Sequence, residues 1–207
     1  MNRRHDPFTL ALASLRSRLE QGLHPPGGPI VILDEARRLK LSTTPVREAL
    51  GWLCGFGLVE RGPTGGFLVP RRDPQGLRDL LAFRLHCLDA GLDRTGAVQG
   101  RDGFTPRAEA GPDPAALMAW LVRSTGNAAL MDAFDRVASQ LVAYRRAEAR
   151  VFPDSDIEAQ ALADRFRDPV GPGLGEALAA YHQRRIEAAP HLIMAADADR
   201  RDAAEET

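Results

Sequence analysis

Apolar residues near the start of the chain recur at the spacing of a helix. Leucines follow one another every three or four residues from Leu12 to Leu23, and Pro7 stands where the first turn of a helix tolerates proline. The pattern therefore predicts a helix over residues 7–21. The segment Gly22–Pro29 holds three prolines and three glycines, which exclude a helix and predict a loop.

The next fifty residues predict several short elements. Ile30–Ile32 is an apolar run typical of a short buried strand, and Leu33–Leu39 has helical spacing. Ser42 is a favoured N-cap residue, so a further helix is predicted over Thr43–Cys54, ended by one of the two glycines that follow closely. Beyond it, two apolar runs flank a glycine-rich turn at residues 62–66, which predicts a hairpin.

The predicted order of helix, strand, helix, helix and hairpin is that of a winged helix-turn-helix, whose third helix enters the major groove of DNA. At about 100° per residue, that helix has two distinct faces. Its apolar face contains Val46, Ala49, Leu50 and Leu53. The opposite face contains Thr44, Arg47 and Gly51.

Two runs of this segment resemble the DNA-binding domain of the GntR family of transcriptional regulators. TPVREAL, from Thr44 to Leu50, and GLVER, from Gly57 to Arg61, match the family pattern without a gap. The resemblance covers about 60 residues. It implies that the chain binds double-stranded DNA, with contacts from the turn, the third helix and the wing. The residues it singles out are Lys40, Ser42, Thr43, Thr44, Arg47, Arg61, Gly65 and Gly66.

The chain departs from the GntR pattern at three of these positions. Thr43 and Gly65 stand where the family usually carries arginines that contact DNA. Lys40 replaces a glycine of the turn, where its charge adds affinity for phosphate. Gly65 and Gly66 fit either a backbone contact to phosphate or a plain hairpin turn. A winged helix that serves as a protein-interaction or assembly module is therefore the alternative hypothesis.

The distribution of charge agrees with two domains of different kind. Residues 1–72 carry 11 Lys and Arg against 6 Asp and Glu, a net charge of +5, whereas the remainder carries 16 against 22, a net charge of -6. A basic segment joined to an acidic one is expected when a polyanion-binding module is fused to a partner that does not bind it. We predict a DNA-binding domain over residues 1–72 and a second domain over residues 73–207.

The second domain shows helical spacing throughout, which predicts an all-α bundle. The whole chain is therefore expected to be mainly α: an N-terminal winged helix-turn-helix followed by a C-terminal helical bundle. The predicted helices are Asp73–Ala90, Pro114–Ser124, Asn127–Arg150, Asp156–Arg167, Leu174–Ala188 and one more after Pro190. A long loop is expected over Asp93–Pro112.

The stretch Leu117–Arg146 resembles, more weakly, the helical ligand-binding domain of the FadR-type subfamily, called the FCD domain. In many members, one Asp and three His bind a divalent metal that helps to hold a carboxylate effector. The matching positions here are Pro114 beside Asp113, then Met118 and His182. We therefore expect no metal and no other cofactor, because a tight site needs at least three ligands.

The resemblance leaves two roles open for the second domain. It either binds a small carboxylate effector, with Arg145, Arg146 and His182 as the candidate residues, or it only holds two copies together. In both cases we expect a homodimer on a palindromic operator, acting as a repressor.

Other classes of protein are disfavoured by the sequence. No apolar run approaches the ~20 residues of a membrane span, and arginines interrupt the N-terminal leucines, so a cytoplasmic protein without membrane contact is expected. Cys54 and Cys87 are expected to be core residues. We find no nucleophile elbow, phosphate loop, catalytic carboxylate pair or metal cluster, and therefore do not expect an enzyme.

Overall fold

The computed structural model describes residues 6–96, 113–166 and 173–205. The chain divides into two compact units. The first runs to Arg72 and takes in the chain from Ala196 onward, and the second spans Asp73–Ala195.

The first unit is a winged helix-turn-helix, and the predicted order of elements is confirmed. Its elements are α1 Pro7–Glu20, β1 Pro29–Ile30, α2 Ile32–Leu39, α3 Thr43–Gly55, β2 Glu60–Arg61 and β3 Phe67–Leu68. The strands form an antiparallel sheet in the order β1-β3-β2, with Ile30 and Arg61 both opposite Phe67. β1 ends earlier than the sequence pattern suggested, because Ile32 already belongs to α2.

Local signals in the sequence set the ends of the helices. Asp6 caps α1, its carboxylate accepting a hydrogen bond from the Thr9 N–H at 3.1 Å. At the end of α3, the N–H of Leu58 donates to the carbonyl of Leu53, and Gly57 has a φ of +70°. This left-handed conformation favours glycine, so Gly57 rather than Gly55 ends the helix.

A leucine-rich core joins α1, α2, α3 and the sheet. α1 packs against α3, and α2 also packs against α3. The apolar face predicted for α3 is fully buried, which fixes the orientation of its polar face. The buried residues of this core are Ala11, Leu15, Leu19, Ile30, Ala36, Val46, Ala49, Leu50, Leu53, Leu58, Val59, Phe67 and Val69.

A buried carboxylate connects α1 and α2. Glu35 is 5% exposed, and its carboxylate lies 2.6 Å from Arg38, 3.3 Å from His24 and 3.4 Å from Arg18. Arg38 also donates to the Ser14 hydroxyl at 2.9 Å. Burial is the main cause that lowers the pKa of His24. A carboxylate can remain charged inside the protein only when such partners are present.

The second unit is all-helical, as predicted. Its elements are α4 Pro74–Gly96, α5 Pro114–Ser124, α6 Ala128–Leu141, α7 Arg145–Val151, α8 Ser155–Phe166 and α9 Leu174–Glu187, followed by α10 Ala189–Glu205, which runs past the end of the unit. α4 packs against α5, α6 and α9. Its core includes Leu88, Met118, Leu121, Phe134, Leu162 and Leu178.

Two predicted helix boundaries in this unit were wrong. The helix expected over Asn127–Arg150 is broken by a 3₁₀ turn at Val142–Tyr144. The buried residues there, Leu141, Tyr144 and Ala147, recur every three residues, and this spacing fits the three residues per turn of a 3₁₀ helix. Asn127 nevertheless caps α6 as expected, accepting from the N–H of Leu130.

The end of α4 was also wrong. The helix continues past Ala90 to Gly96, into the segment expected to be a loop; the rest of that segment, residues 97–112, lies outside the described residues. Gly91 lies within the helix, where a Cβ would make only an ordinary contact with Leu121 on α5, 3.6 Å away. In the described part of the chain, no helix combines the length and apolarity of a membrane span.

Candidate functional site

Helix α3 presents a polar face to solvent. Thr44 and Arg47 are exposed, and Gly51 between the two faces is half-buried. Because Val46 and Leu50 are completely buried, the helix cannot rotate about its axis without exposing core residues. The exposed face is therefore fixed by the packing of the apolar one.

The cations of the first unit fall into two sets. Five described arginines pair with carboxylates: Arg16, Arg18, Arg37, Arg38 and Arg71. Lys40, Arg47 and Arg61 have no carboxylate partner among the described residues, although they lie in the same basic unit. All three are exposed. They are the three cations that the sequence analysis assigned to the interface.

Lys40 adopts a backbone conformation that is unusual for its residue type. It ends α2 with a φ of +56°, the one positive value of a non-glycine residue in the described ranges. Its N–H donates to the carbonyl of Arg37 at 3.1 Å. A side chain in this conformation costs about 1–2 kcal/mol relative to the ordinary helical region. This explains the glycine that the GntR pattern has in the turn, and it shows that the exposed lysine is kept at a cost in stability.

The remaining predicted residues lie at the start of α3 and in the wing. Ser42 is at the N-cap of α3, but its side chain makes no capping hydrogen bond. Thr43 is half-buried. Arg61 lies on β2 with its guanidinium 5.3 Å from the centre of the Phe67 ring.

At the wing tip, Gly65 and Gly66 can make contacts only through their backbone. Gly65 and Gly66 have φ values of +91° and +78°, and space for a Cβ is open at both. The Gly65 N–H is already used, since it donates to the carbonyl of Gly62 at 3.0 Å. The turn geometry accounts for both glycines, and a backbone contact to phosphate stays a prediction.

Two exposed residues of α3 were not considered in the sequence analysis. Glu48 is exposed next to Arg47, and a carboxylate at this place can accept a hydrogen bond from cytosine but repels phosphate. Trp52 is 41% exposed and stacks on Phe56 with ring centres 4.3 Å apart. Their helical spacing from Thr44 and Arg47 would have placed both on the solvent side.

In the second unit, the candidate effector residues differ in burial. Arg145 and Arg146 are exposed at the start of α7, whereas His182 is 0% exposed in the interior. The side chains that accompany His182 are instead Arg84 on α4 and Arg185 on α9, both buried. Neither arginine has a distinguishing signal in the sequence, because arginines within a helix usually lie on its surface.

Arg84 and His182 form a buried pair. The Arg84 Nε donates to the His182 Nε2 at 2.9 Å, and the His182 Nδ1 lies 2.7 Å from the carbonyl of Leu178, to which it donates. The imidazole is therefore neutral, with its proton on Nδ1. Burial, together with the nearby charge of Arg84, lowers the pKa of His182 to about 3. Burial also lowers the pKa of the Arg84 guanidinium.

Arg185 has a different environment. Its guanidinium donates to Glu148 at 3.1 Å, to Glu158 at 2.8 Å and to the carbonyl of Tyr181 at 3.0 Å. It also lies 3.3 Å above the centre of the Tyr181 ring. These contacts join α7, α8 and α9 through one fully satisfied buried cation.

Solved structures that are similar to the chain cover most of its length. E. coli McbR/YncC is 16% identical to the chain, with a TM-score of 0.64, over 89% of this chain and 97% of that one. Lar, which controls the expression of the Listeria monocytogenes agr system and mediates virulence, is 12% identical with a TM-score of 0.50, over 94% and 98%. A GntR-family transcriptional regulator from Pseudomonas syringae pv. tomato is 18% identical over 97% and 91%, with a TM-score of 0.41.

At these identities, the likeness to McbR/YncC establishes the fold. No protein-family model matches the chain, and no curated protein matches it. Function must therefore be argued from the sites themselves.

The buried imidazole makes stability depend on pH. In the unfolded chain, His182 binds a proton near pH 6.5, whereas in the folded protein its pKa is about 3. Between these values the unfolded state binds more protons, so each pH unit costs at most about 1.4 kcal/mol of stability. We expect the free energy of unfolding to fall as pH drops from about 6.5 to about 5. In His182→Gln the fall should be less steep, by up to ~1 kcal/mol per pH unit.

Urea denaturation of both proteins across this range measures the difference. Their carboxylates are the same, so the comparison isolates the imidazole. Equal slopes in the two proteins would contradict a neutral, buried His182.

Proposed function

We propose that this protein is a sequence-specific DNA-binding transcriptional regulator of the GntR type, which acts as a homodimer. The observation that carries the proposal is that three exposed cations of the first unit have no carboxylate partner among the described residues. The cations Lys40, Arg47 and Arg61 lie on the turn, α3 and β2, the elements that a winged helix uses to contact DNA. They are exposed and lack carboxylate partners within residues 6–96, 113–166 and 173–205.

The three cations differ in what they can recognise. Arg47 projects from the exposed face of α3, where a guanidinium can bind the O6 and N7 atoms of guanine with two hydrogen bonds. Lys40 and Arg61 flank that helix in the chain and are suited to phosphate contacts. Specificity would then rest on Arg47 and Thr44, and much of the affinity on the other two cations.

A dimer follows from the small size of this interface. One α3 helix reads only a few base pairs, and a net charge of +5 over residues 1–72 gives weak binding alone. Two copies on a palindromic operator double both the number of base pairs that are read and the number of positive charges at the DNA. We assign dimerisation to residues 73–207, with residues 1–72 as the DNA-binding domain. The same second domain would bind a small effector that relieves repression.

A protein-interaction module is the second candidate function, and the exposed Trp52 is the observation that favours it. Exposed tryptophan is enriched in protein interfaces, and Thr43 and Gly65 offer no charge for DNA. A module of this kind would bind DNA weakly and without sequence preference.

Arg47→Ala tests the proposed reading helix. We expect binding to the operator to weaken by about 1–3 kcal/mol, because the contact to guanine is lost, with a smaller effect on scrambled DNA. Fluorescence anisotropy with an operator selected from random DNA measures both affinities. Arg123→Ala is the control: it removes an exposed arginine, which pairs with Asp135, from α5 in the second unit and should leave both affinities unchanged.

An equal loss of affinity for operator and scrambled DNA would show that Arg47 contacts phosphate rather than a base. No loss on either would show that α3 is not the reading helix.

Lys40→Gly separates stability from function. Glycine adopts a φ of +56° without strain, so we expect the variant to be more stable by about 1 kcal/mol. It should nevertheless bind every DNA sequence more weakly, and the slope of log affinity against log salt should decrease by about 1 per protomer. Chemical denaturation and salt titrations measure the two effects. A variant with unchanged affinity would show that Lys40 does not contact phosphate.

A further inference from the structure

Gly51 lies in the middle of α3, where the fold gives no reason for a glycine. After proline, glycine is the least favourable residue in the interior of a helix. Two internal conditions can require it: a positive φ, as at Gly57, or crowding that leaves no room for a Cβ.

Neither condition applies at Gly51. Its φ is not among the positive values of the described glycines. Among the described residues, no atom outside its own helix backbone and its chain neighbours would lie within 4 Å of a Cβ at this position. A glycine that the fold does not need, in a half-buried place on an outer face, fits the close approach of a molecule from outside the chain.

Gly51 shares its side of α3 with the residues proposed to contact DNA. The seven residues from Thr44 to Gly51 turn through about 700°, so the two positions lie within about 20° of each other around the helix axis. Arg47, one turn before Gly51, is exposed and has no carboxylate partner in the described part of the chain. The missing side chain therefore leaves a recess in the surface that α3 would present to the major groove.

The chemistry of this recess limits what it can recognise. Gly51 has no side chain that could donate or accept a hydrogen bond, so the recess can select a partner only by shape and apolar contact. The space that an absent Cβ leaves is that of about one methyl group. Among the groups that the four bases present in the major groove, the C5 methyl of thymine is the apolar one.

We propose that Gly51 forms a recess for the C5 methyl group of a thymine in the operator. The proposal rests on the proposed function and deepens it, because it adds a thymine to the guanine that Arg47 would bind. Arg47 and Gly51 are four residues apart, or about 6 Å along the helix, against about 3.4 Å per base pair. The thymine should therefore lie one or two base pairs from that guanine.

Gly51→Ala first tests whether the fold needs the glycine. Alanine is a better helix former and has room at this position, so we expect the Tm to rise by about 2–4 °C. Gly55→Ala is the matched control, since it lies one turn later in α3 and also has open space for a Cβ. Neither variant should lower the Tm in scanning calorimetry. A lower Tm in Gly51→Ala would show that internal packing requires the glycine and would overturn the proposal.

DNA binding by the same two variants tests the recess. Fluorescence anisotropy of the full chain with an operator selected from random DNA measures the affinities. Gly51→Ala should bind this operator at least tenfold more weakly than the wild type, because its new methyl group overlaps that of thymine. Gly55→Ala should bind with the affinity of the wild type.

Replacing thymine by deoxyuridine removes only the methyl group from the DNA. Each thymine of the operator is replaced in turn, in both half-sites together. In the wild type, one such position should lose about fourfold in affinity per half-site, the contribution of one buried methyl group. In Gly51→Ala, the same replacement should strengthen binding, because it removes the overlap.

Four results would overturn the recess: wild-type affinity in Gly51→Ala, an equal loss on deoxyuridine in both proteins, no sensitive thymine in the wild type, or a selected half-site without thymine. Each of them can occur while the wild type binds its operator, and would then leave the proposed regulator standing. A wild type that enriches no sequence from random DNA would overturn the regulator and the recess together.

Discussion

The pairing of positive with negative side chains is the constraint on which both units of the structure depend. A buried cation is stable only with acceptors around its guanidinium. Arg185 meets this condition through Glu148 and Glu158, and Glu35 meets the reverse condition through Arg38 and its other partners. Cations without such partners are therefore informative.

Among the described residues, cations without a carboxylate partner occur in both units, among them Lys40, Arg47 and Arg61 in the first and Arg84, Arg145 and Arg146 in the second. In the first unit they are exposed, where water solvates them and a phosphate backbone can replace that water. In the second unit Arg84 is buried, and its Nη2 has no hydrogen-bond partner among the described residues, which costs stability. The left-handed Lys40 is a further cost, which the proposed phosphate contact explains.

The sequence predicted the first unit well because its signals are local. Capping residues, prolines in first turns and the apolar face of α3 each depend on a few neighbouring residues, and Gly57 ends that helix as the pattern allowed. For the second unit, the sequence predicted the all-α fold class but not the buried polar contacts. The Arg84–His182 pair joins residues 98 positions apart, and the buried Glu35 depends on loop residue His24. Neither has a periodic signal in the chain.

Salt dependence of binding to a sequence selected from random DNA tests the central claim most directly, namely that the unpaired cations of the first unit form a DNA interface. With Lys40, Arg47 and Arg61 in each protomer of a dimer, we expect one enriched palindromic sequence and a slope of log affinity against log salt of about −3 to −5. Failure to enrich any sequence, together with affinity that does not change with salt, would contradict the account.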